Sequence, residues 1–138
     1  MWIGYWGGGL DYYDRKTGKV KRFLNDPKNP RSISDNNIFY LFEDSKKNMW
    51  ICTWGKGISK YVKDTDDFTN YMHDPKKPNS LGSPYAPTHI SEDHLGNLWI
   101  SMKTGRGLDK LDPITEVFTL YKSESKAGDI SNNSVYIL

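Results

Sequence analysis

The middle third of the chain contains short runs of apolar residues that are separated by polar turns. The runs cover residues 38–42, 49–54, 58–62 and 68–72. The first run, IFYLF, is β-branched and aromatic and ends at Glu43 and Asp44. Apolar runs of this length between turn signals favour buried strands over helices. The pattern therefore predicts a meander of four antiparallel strands joined by short turns.

The same pattern occurs almost three times along the chain. The phrase MWIGYWGGGLDYYD at residues 1–14 returns as MWICTWGKGISKYV at 49–62 and as LWISMKTGRGLDKLD at 98–112. Its tryptophans recur with a period of 48 and then 49 residues, and they are Trp2, Trp50 and Trp99. A fixed period of this length indicates a repeated unit that buries its apolar faces only by stacking on copies of itself.

A four-stranded unit of this size with two apolar faces is typical of a β-propeller blade. We therefore predict an all-β chain in which residues 1–138 form one propeller segment of about three four-stranded antiparallel blades. The predicted parts are the last three strands of a first blade (about 1–25), a second blade (about 38–73), a third blade (about 86–122) and the first strand of a further blade (about 134–138).

These parts amount to about twelve strands with offset ends, whereas propellers close with about four to eight blades. Two explanations remain open. The chain is part of a longer protein, or two copies associate and the last strand of one pairs near Trp2 of the other. The second explanation predicts a homodimer that completes a six-bladed ring.

Composition narrows the function classes. Aromatic residues make up 14% of the 138 residues, and the net charge of +2 gives no concentrated basic surface that would predict nucleic-acid binding. No apolar stretch is long enough for a membrane segment, and the start lacks the apolar region of a signal peptide. Cys52 is the single cysteine, and the three histidines lack metal-ligand spacing, so we predict neither a metal site nor a cofactor.

Two acidic pairs could suggest glycoside hydrolysis, but their positions argue against it. Glu43 and Asp44 recur as Glu92 and Asp93 at the same point of the next repeat. Groups that return in every unit are explained more simply as scaffold, and no nucleophile elbow or phosphate loop is present. We therefore predict no catalytic residue and a protein that is not an enzyme.

Candidate ligand-binding residues lie on one rim of the predicted propeller. Antiparallel order places there the long connections between blades, 25–37 and 73–88, and the glycine-rich loops that follow each second strand. Long loops on a rigid scaffold often carry binding sites. The candidates are aromatic or cationic and comprise Tyr5, Trp6, Trp54, Lys56, Tyr85, His89, Lys103 and Arg106.

An alternative remains open for each of these candidates. Trp6 and Trp54 offer flat platforms for sugar rings, or else they pack under the neighbouring long loops. The cations bind hydroxyls or acidic sugars, or else they are merely solvated. His89, on the innermost strand, points into the axial channel beside Tyr85, or else it is a core histidine.

The repeat phrase resembles a known family. Its strand ending in Glu43 and Asp44, the Met49–Ile51 segment and the pair Gly57 and Ile58 are similar to the two-component regulator propeller repeat, as are the equivalent residues of the other copies. The resemblance implies the extracytoplasmic, periplasmic sensor of a hybrid two-component system, with oligosaccharides from polysaccharide breakdown as ligands. The segment from Ser91 to Trp99 is also similar to the Asp box of sialidase-type propellers, which is a structural hairpin.

The sequence thus favours a ligand-binding sensor module that recognises polysaccharide breakdown products. The alternative is a non-enzymatic scaffold for protein interaction or assembly. A propeller polysaccharide lyase or hydrolase is the third and least favoured interpretation.

Overall fold

The computed structural model describes residues 1–84, 86–102, 107–124, 127 and 129–135. Its regular elements in these ranges are all strands. They are β1 (Trp2–Gly4), β2 (Leu10–Tyr13), β3 (Val20–Phe23), β4 (Ile38–Glu43), β5 (Met49–Thr53), β6 (Ile58–Val62), β7 (Asp67–Tyr71), β8 (Pro87–Glu92), β9 (Leu98–Met102), β10 (Leu108–Asp112) and β11 (Val117–Tyr121).

The strands form three antiparallel meanders, each hydrogen-bonded in chain order. The first sheet contains β1 to β3, the second β4 to β7, and the third β8 to β11. This confirms the predicted all-β fold built from blade-like units. Of the predicted strand at 134–138, Ser134 and Val135 lie outside any strand, and residues 136–138 lie outside the described residues.

The sheets pack face to face around their first strands. Strand β4 contacts β8, and β1 contacts β4, so these strands lie on the inner side of the assembly. One core cluster joins the first and second sheets and includes Leu10, Ile51 and Phe68. A second cluster joins the second and third sheets and includes Trp50 and Leu98. Each sheet is therefore stabilised by burying apolar side chains against its neighbour.

The connections between sheets also contribute to these interfaces. Ile33 in the first connection and Leu81 in the second have no solvent exposure. Just before each of them, a carbonyl of the connection accepts a hydrogen bond from the fourth strand of the next sheet: Phe68 N donates to Arg31 O at 2.9 Å. The long connections are thus held between the sheets, and they place the rim loops on a fixed frame.

The hairpin that joins the first two strands of a sheet is closed by an aspartate. Asp44 accepts hydrogen bonds from Lys46 N at 3.0 Å, Asn48 N at 2.8 Å and the indole Nε1 of Trp50 at 2.9 Å. Burial of Asp44 raises its pKa, but the bonds from Trp50 and Asn48 outweigh this and hold the pKa below its usual value.

Asp93 closes the equivalent hairpin of the third sheet with the same bonds. It accepts hydrogen bonds from Asn97 N and from the indole Nε1 of Trp99, both at 2.9 Å. The Asn97 side chain, together with Trp99, holds the pKa of Asp93 well below its usual range. The two aspartates thus link each hairpin to the tryptophan that marks the repeat.

Candidate functional site

Trp6 and Trp54 meet on the rim that carries the long connections. Their ring centroids are 5.3 Å apart and their planes are inclined by 68°, an edge-to-face arrangement. Trp6 is 64% exposed. Its ring is therefore not packed beneath the connection between the first two sheets, although the sequence alone left that possibility open.

The end of the first connection holds the loops that carry both tryptophans. Three backbone hydrogen bonds do this, and they run from Gly9 N to Asn36 O (2.9 Å), from Ile38 N to Tyr5 O (2.9 Å) and from Trp54 N to Asn37 O (3.0 Å). Because these bonds reach the first sheet on one side and the second on the other, they fix the spacing of the two rings across the junction.

A third aromatic ring, which the sequence analysis missed, extends this pair. Phe39 is 44% exposed, and its ring centroid lies 5.8 Å from that of Trp54. The register of β4 against β5 shifts between Ile38 and Tyr40, so Phe39 lies at a bulge. A bulge redirects a side chain out of the strict alternation of a strand. The apolar run at 38–42 gives no sign of this bulge, because a strand that is covered on both faces is apolar throughout.

Tyr5 directly precedes Trp6, but its side chain faces Asp11 on β2, whereas Lys56 follows Trp54 by two residues in the same loop. Tyr5 is 38% exposed, and its backbone N donates to Gly9 O at 3.0 Å. Lys56 is exposed, and none of the ion pairs found among the described residues includes it. We call Trp6, Phe39 and Trp54 the rim aromatic cluster.

His89 lies on the inner strand β8, away from the rim aromatic cluster. Its ring centroid is 4.5 Å from that of Tyr40 on β4. Both residues follow the bulge of their strand, at matching positions of neighbouring sheets. His89 is partly buried, so one side of its ring packs against Tyr40. The structure does not bring His89 together with Trp6 and Trp54.

Three further candidates, Tyr85, Lys103 and Arg106, lie outside the described residues. Their relation to the rim aromatic cluster stays a prediction.

The carboxylates that could have suggested catalysis are engaged in hairpin contacts. Glu92 accepts hydrogen bonds from the backbone N and the Oγ of Ser45, both at 2.7 Å, and so joins the hairpins of the second and third sheets. Glu43 pairs with Lys47 at 3.0 Å.

The single cysteine is also unsuited to catalysis. Burial raises the pKa of the Cys52 thiol, which disfavours the reactive thiolate.

Within the described ranges, no group of three or more metal-ligating side chains lies together. No helix in that part of the chain has the length and apolar character needed to cross a membrane.

An open cleft of about 1070 Å³ lies on the opposite rim, near the short hairpins. Trp2, Tyr12 and Tyr61 line it together with several lysines. The Tyr61 hydroxyl donates to Asp66 at 2.7 Å, so this wall is held by contacts within the chain. We place the candidate site at the rim aromatic cluster because its rings converge from two sheets, and those of Trp6 and Phe39 are exposed.

Comparison with known proteins gives a family match and a fold match. Residues 32–55 match the family model described as two component regulator propeller. No curated protein matches the chain. The extracellular domain of a protein described as the hybrid two component system BT3049, from B. thetaiotaomicron, is 22% identical, with a TM-score of 0.73 over 88% of this chain. The extracellular domain described for BT4673 of the same organism is 19% identical, with a TM-score of 0.45 over 86% of this chain.

This chain spans 16% of the first of these solved structures and 23% of the second. At this identity, the first match establishes the propeller-type fold. The family match covers the end of the first connection, the Asp44 hairpin and the strand that carries Trp50. The resemblance of this chain to the two-component regulator propeller repeat is thereby confirmed.

Proposed function

We propose that this chain is a ligand-binding segment of the extracytoplasmic sensor of a two-component system. The repeat match at residues 32–55 and the fold shared with an extracellular domain of a hybrid two component system support this role. The proposal places the chain in the periplasm or outside the cell, where a sensor meets its ligand.

We further propose an oligosaccharide, such as a product of polysaccharide breakdown, as the ligand. The rim aromatic cluster is the observation that carries this proposal, because the exposed ring of Trp6 lies 5.3 Å from the partly buried ring of Trp54, on loops fixed to two sheets. Flat ring faces pack against the C–H faces of sugars, and rigid scaffolds commonly present binding residues on loops. Lys56, in the same loop as Trp54, would donate to hydroxyl or carboxylate groups.

Binding without bond cleavage fits the arrangement of acidic groups. Glycoside hydrolysis needs two carboxylates facing each other across the sugar. Glu43, Asp44, Glu92 and Asp93 belong to the short hairpins and are engaged there by backbone and side-chain donors. The proposed function is therefore recognition, not catalysis.

Substitution of the two rim tryptophans tests the proposal. We expect Trp6→Ala and Trp54→Ala each to weaken oligosaccharide binding about twofold to twelvefold, because a stacked ring contributes about 0.5–1.5 kcal/mol. Calorimetric titration with a panel of neutral and uronic-acid-containing oligosaccharides measures the affinity. Ile114→Ala is the matched control, since Ile114 is also an exposed apolar side chain but lies in a hairpin of the opposite rim. A panel that binds equally well to Trp6→Ala and to the unchanged chain would contradict the site.

The alternative function is a non-enzymatic assembly scaffold, and one surface favours it. Trp99 and Tyr121 of the third sheet lie 5.4 Å apart, an arrangement close to that of Trp50 and Tyr71, which are 5.8 Å apart and covered by the next sheet. Val20 of the first sheet, at the position of Phe68, is 57% exposed. In this alternative, the first sheet of a second copy covers Trp99 and gives the six-bladed homodimer.

Light scattering at micromolar concentration separates the two functions. A monomeric mass would exclude the homodimer and leave the sensor proposal untouched. A folded chain that binds no oligosaccharide but has a dimeric mass would favour the scaffold.

A further inference from the structure

Asp109 is a buried acid where the second connection meets the third sheet. It lies on β10 and has 0% exposure. Gly82, in the connection, donates its backbone N–H to both carboxylate oxygens, at 3.2 Å to Oδ1 and 3.1 Å to Oδ2. Gly82 directly follows Leu81, whose fully buried side chain packs between the second and third sheets. The Gly82–Asp109 hydrogen bonds therefore tie the connection to the sheet.

The other two repeats have different side chains at and opposite the position of Asp109. Strand register aligns three equivalent pairs, which are Asp11 with Arg22, Ser59 with Asn70, and Asp109 with Leu120. Arg22 binds the Asp11 carboxylate at 2.9 and 3.1 Å, and this hydrogen bond is the main cause that lowers the pKa of Asp11. The third repeat keeps the acid but has an apolar side chain in place of the cation.

The middle repeat keeps the backbone bond without any charge. Ser34, which is equivalent to Gly82, donates its N–H to the Oγ of Ser59 at 3.1 Å, and Ser59 Oγ donates to Asn70 at 2.6 Å. The connection therefore attaches to the sheet in both repeats. Among the described residues, the acceptor in the third repeat is an ionisable group with no paired guanidinium.

In the described ranges, two charged or titratable side chains face Asp109 from neighbouring elements. They are His73, at the start of the connection, and Lys122, just after β11. Neither forms an ion pair with Asp109 in the described part of the chain. Desolvation dominates and raises the pKa of Asp109 to about 7, against lowering contributions from the Gly82 hydrogen bond and the charges of His73 and Lys122.

Asp109 is screened from bulk water while the connection stays in place. A methyl group built on Gly82 would lie 2.7 Å from Asp109 Oδ1 and 2.8 Å from the Leu120 side chain, so the backbone is already in close contact with both residues. An ionised carboxylate without a paired cation is costly in such surroundings. The direct way to relieve that cost is to move the connection away and admit water.

We propose that Asp109 is a proton-controlled latch, which holds the connection 73–84 against the third sheet when protonated and loosens it when ionised. The folded-state pKa lies above the unfolded value of 3.8. The closed junction therefore binds the proton more tightly than an open, hydrated one. Closure is most stable below the unfolded value, weakens as the pH rises, and keeps weakening until the pH has passed about 7. This connection belongs to the candidate rim, but the latch does not depend on any ligand.

Hydrogen exchange of the Gly82 amide tests the latch directly. We expect its protection factor, corrected for the intrinsic exchange rate, to fall about tenfold between pH 6 and pH 8, which is the linkage expected for one group that titrates near 7 in the closed state. Asp109→Ser, which copies the middle repeat, should change less than about twofold over the same range. An equal loss of protection in Asp109→Ser would overturn the proposal.

Two further variants copied from the other repeats separate the contributing groups. Leu120→Arg supplies the cation that Arg22 provides, and we expect it to abolish the pH dependence. His73→Asn removes the second titratable group; in the first repeat Asn25 takes this position and donates to Ile33 O at 2.8 Å. We expect His73→Asn to retain the tenfold change, and its loss there would assign the effect to His73.

The pKa of Asp109 can also be measured without any variant, by following its carboxyl ¹³C signal against pH in the unchanged chain. This measurement does not depend on whether the variants fold. An Asp109 signal that titrates below pH 5 would also overturn the latch.

Discussion

Replacing Trp50 with alanine should lower the free energy of unfolding by about 3–5 kcal/mol. The Trp50 side chain has 0% exposure and lies in the cluster that joins the second and third sheets. Its loss removes apolar contacts from both sheets and leaves a cavity that the close packing cannot fill. The substitution also removes the indole N–H that donates to Asp44. Asp44 still accepts hydrogen bonds from the backbone of the hairpin. Urea denaturation followed by circular dichroism measures the change.

Trp99→Ala is the matched comparison because Trp99 has the same local contacts. Its Nε1 donates to Asp93 at 2.9 Å, and its ring meets Tyr121 as that of Trp50 meets Tyr71. Trp99 is only partly buried and lies outside the cluster between the sheets. We expect Trp99→Ala to cost about 1–2 kcal/mol, in proportion to the smaller buried area. Equal costs would show that the hairpin bond, and not packing between sheets, makes the tryptophan important.

The strands of the complete repeats were largely predictable because their signals are local. The runs predicted at 49–54 and 68–72 correspond to Met49–Thr53 and Asp67–Tyr71, and the run at 58–62 matches Ile58–Val62. Polar turns separate the apolar runs, and these turns recur at equivalent positions in the next repeat. Stacking of the sheets follows from the apolar character of both faces, which one meander alone leaves exposed to water.

The side chains of the candidate site were less predictable because they depend on loops and bulges. The repeat places Trp6 and Trp54 at equivalent positions, but their separation depends on the backbone bonds of Asn36 and Asn37 in a distant connection. Phe39 is exposed because a bulge interrupts the alternation of β4. A pattern of apolar residues contains no signal for where such a bulge lies.

Asp109 shows a third limit of sequence reasoning. The aligned repeats give Asp11, Ser59 and Asp109 at one position, and the register across the next strand then pairs Asp109 with Leu120. Its burial depends in addition on the connection that covers it, through the Gly82 backbone. The sequence therefore shows that Asp109 is an acid. That Leu120 and not a cation lies opposite it, under a covering connection, follows only from the packed sheets.

Gly57→Ala should destabilise the fold by more than about 3 kcal/mol, which is an unusually large effect for a single methyl group. Gly57 has a φ of +76°, and a Cβ there would overlap the carbonyl oxygen of Tyr71 on the neighbouring strand β7. Left-handed backbone costs an L-residue about 1–2 kcal/mol, and the overlap must be relieved in addition. Since β6 begins at Ile58, opposite Tyr71, moving that carbonyl disturbs the start of the pairing between β6 and β7.

Gly55→Ala separates the two contributions, because Gly55 lies in the same loop with a φ of +80° and no atom within 4 Å of its added Cβ. We expect this control to show the backbone cost alone, about 1–2 kcal/mol. Thermal and urea denaturation of both variants measure the difference. If Gly57→Ala is no less stable than Gly55→Ala, then the close approach of the loop to Tyr71 does not constrain this position, and the conformation of the turn alone explains the glycine.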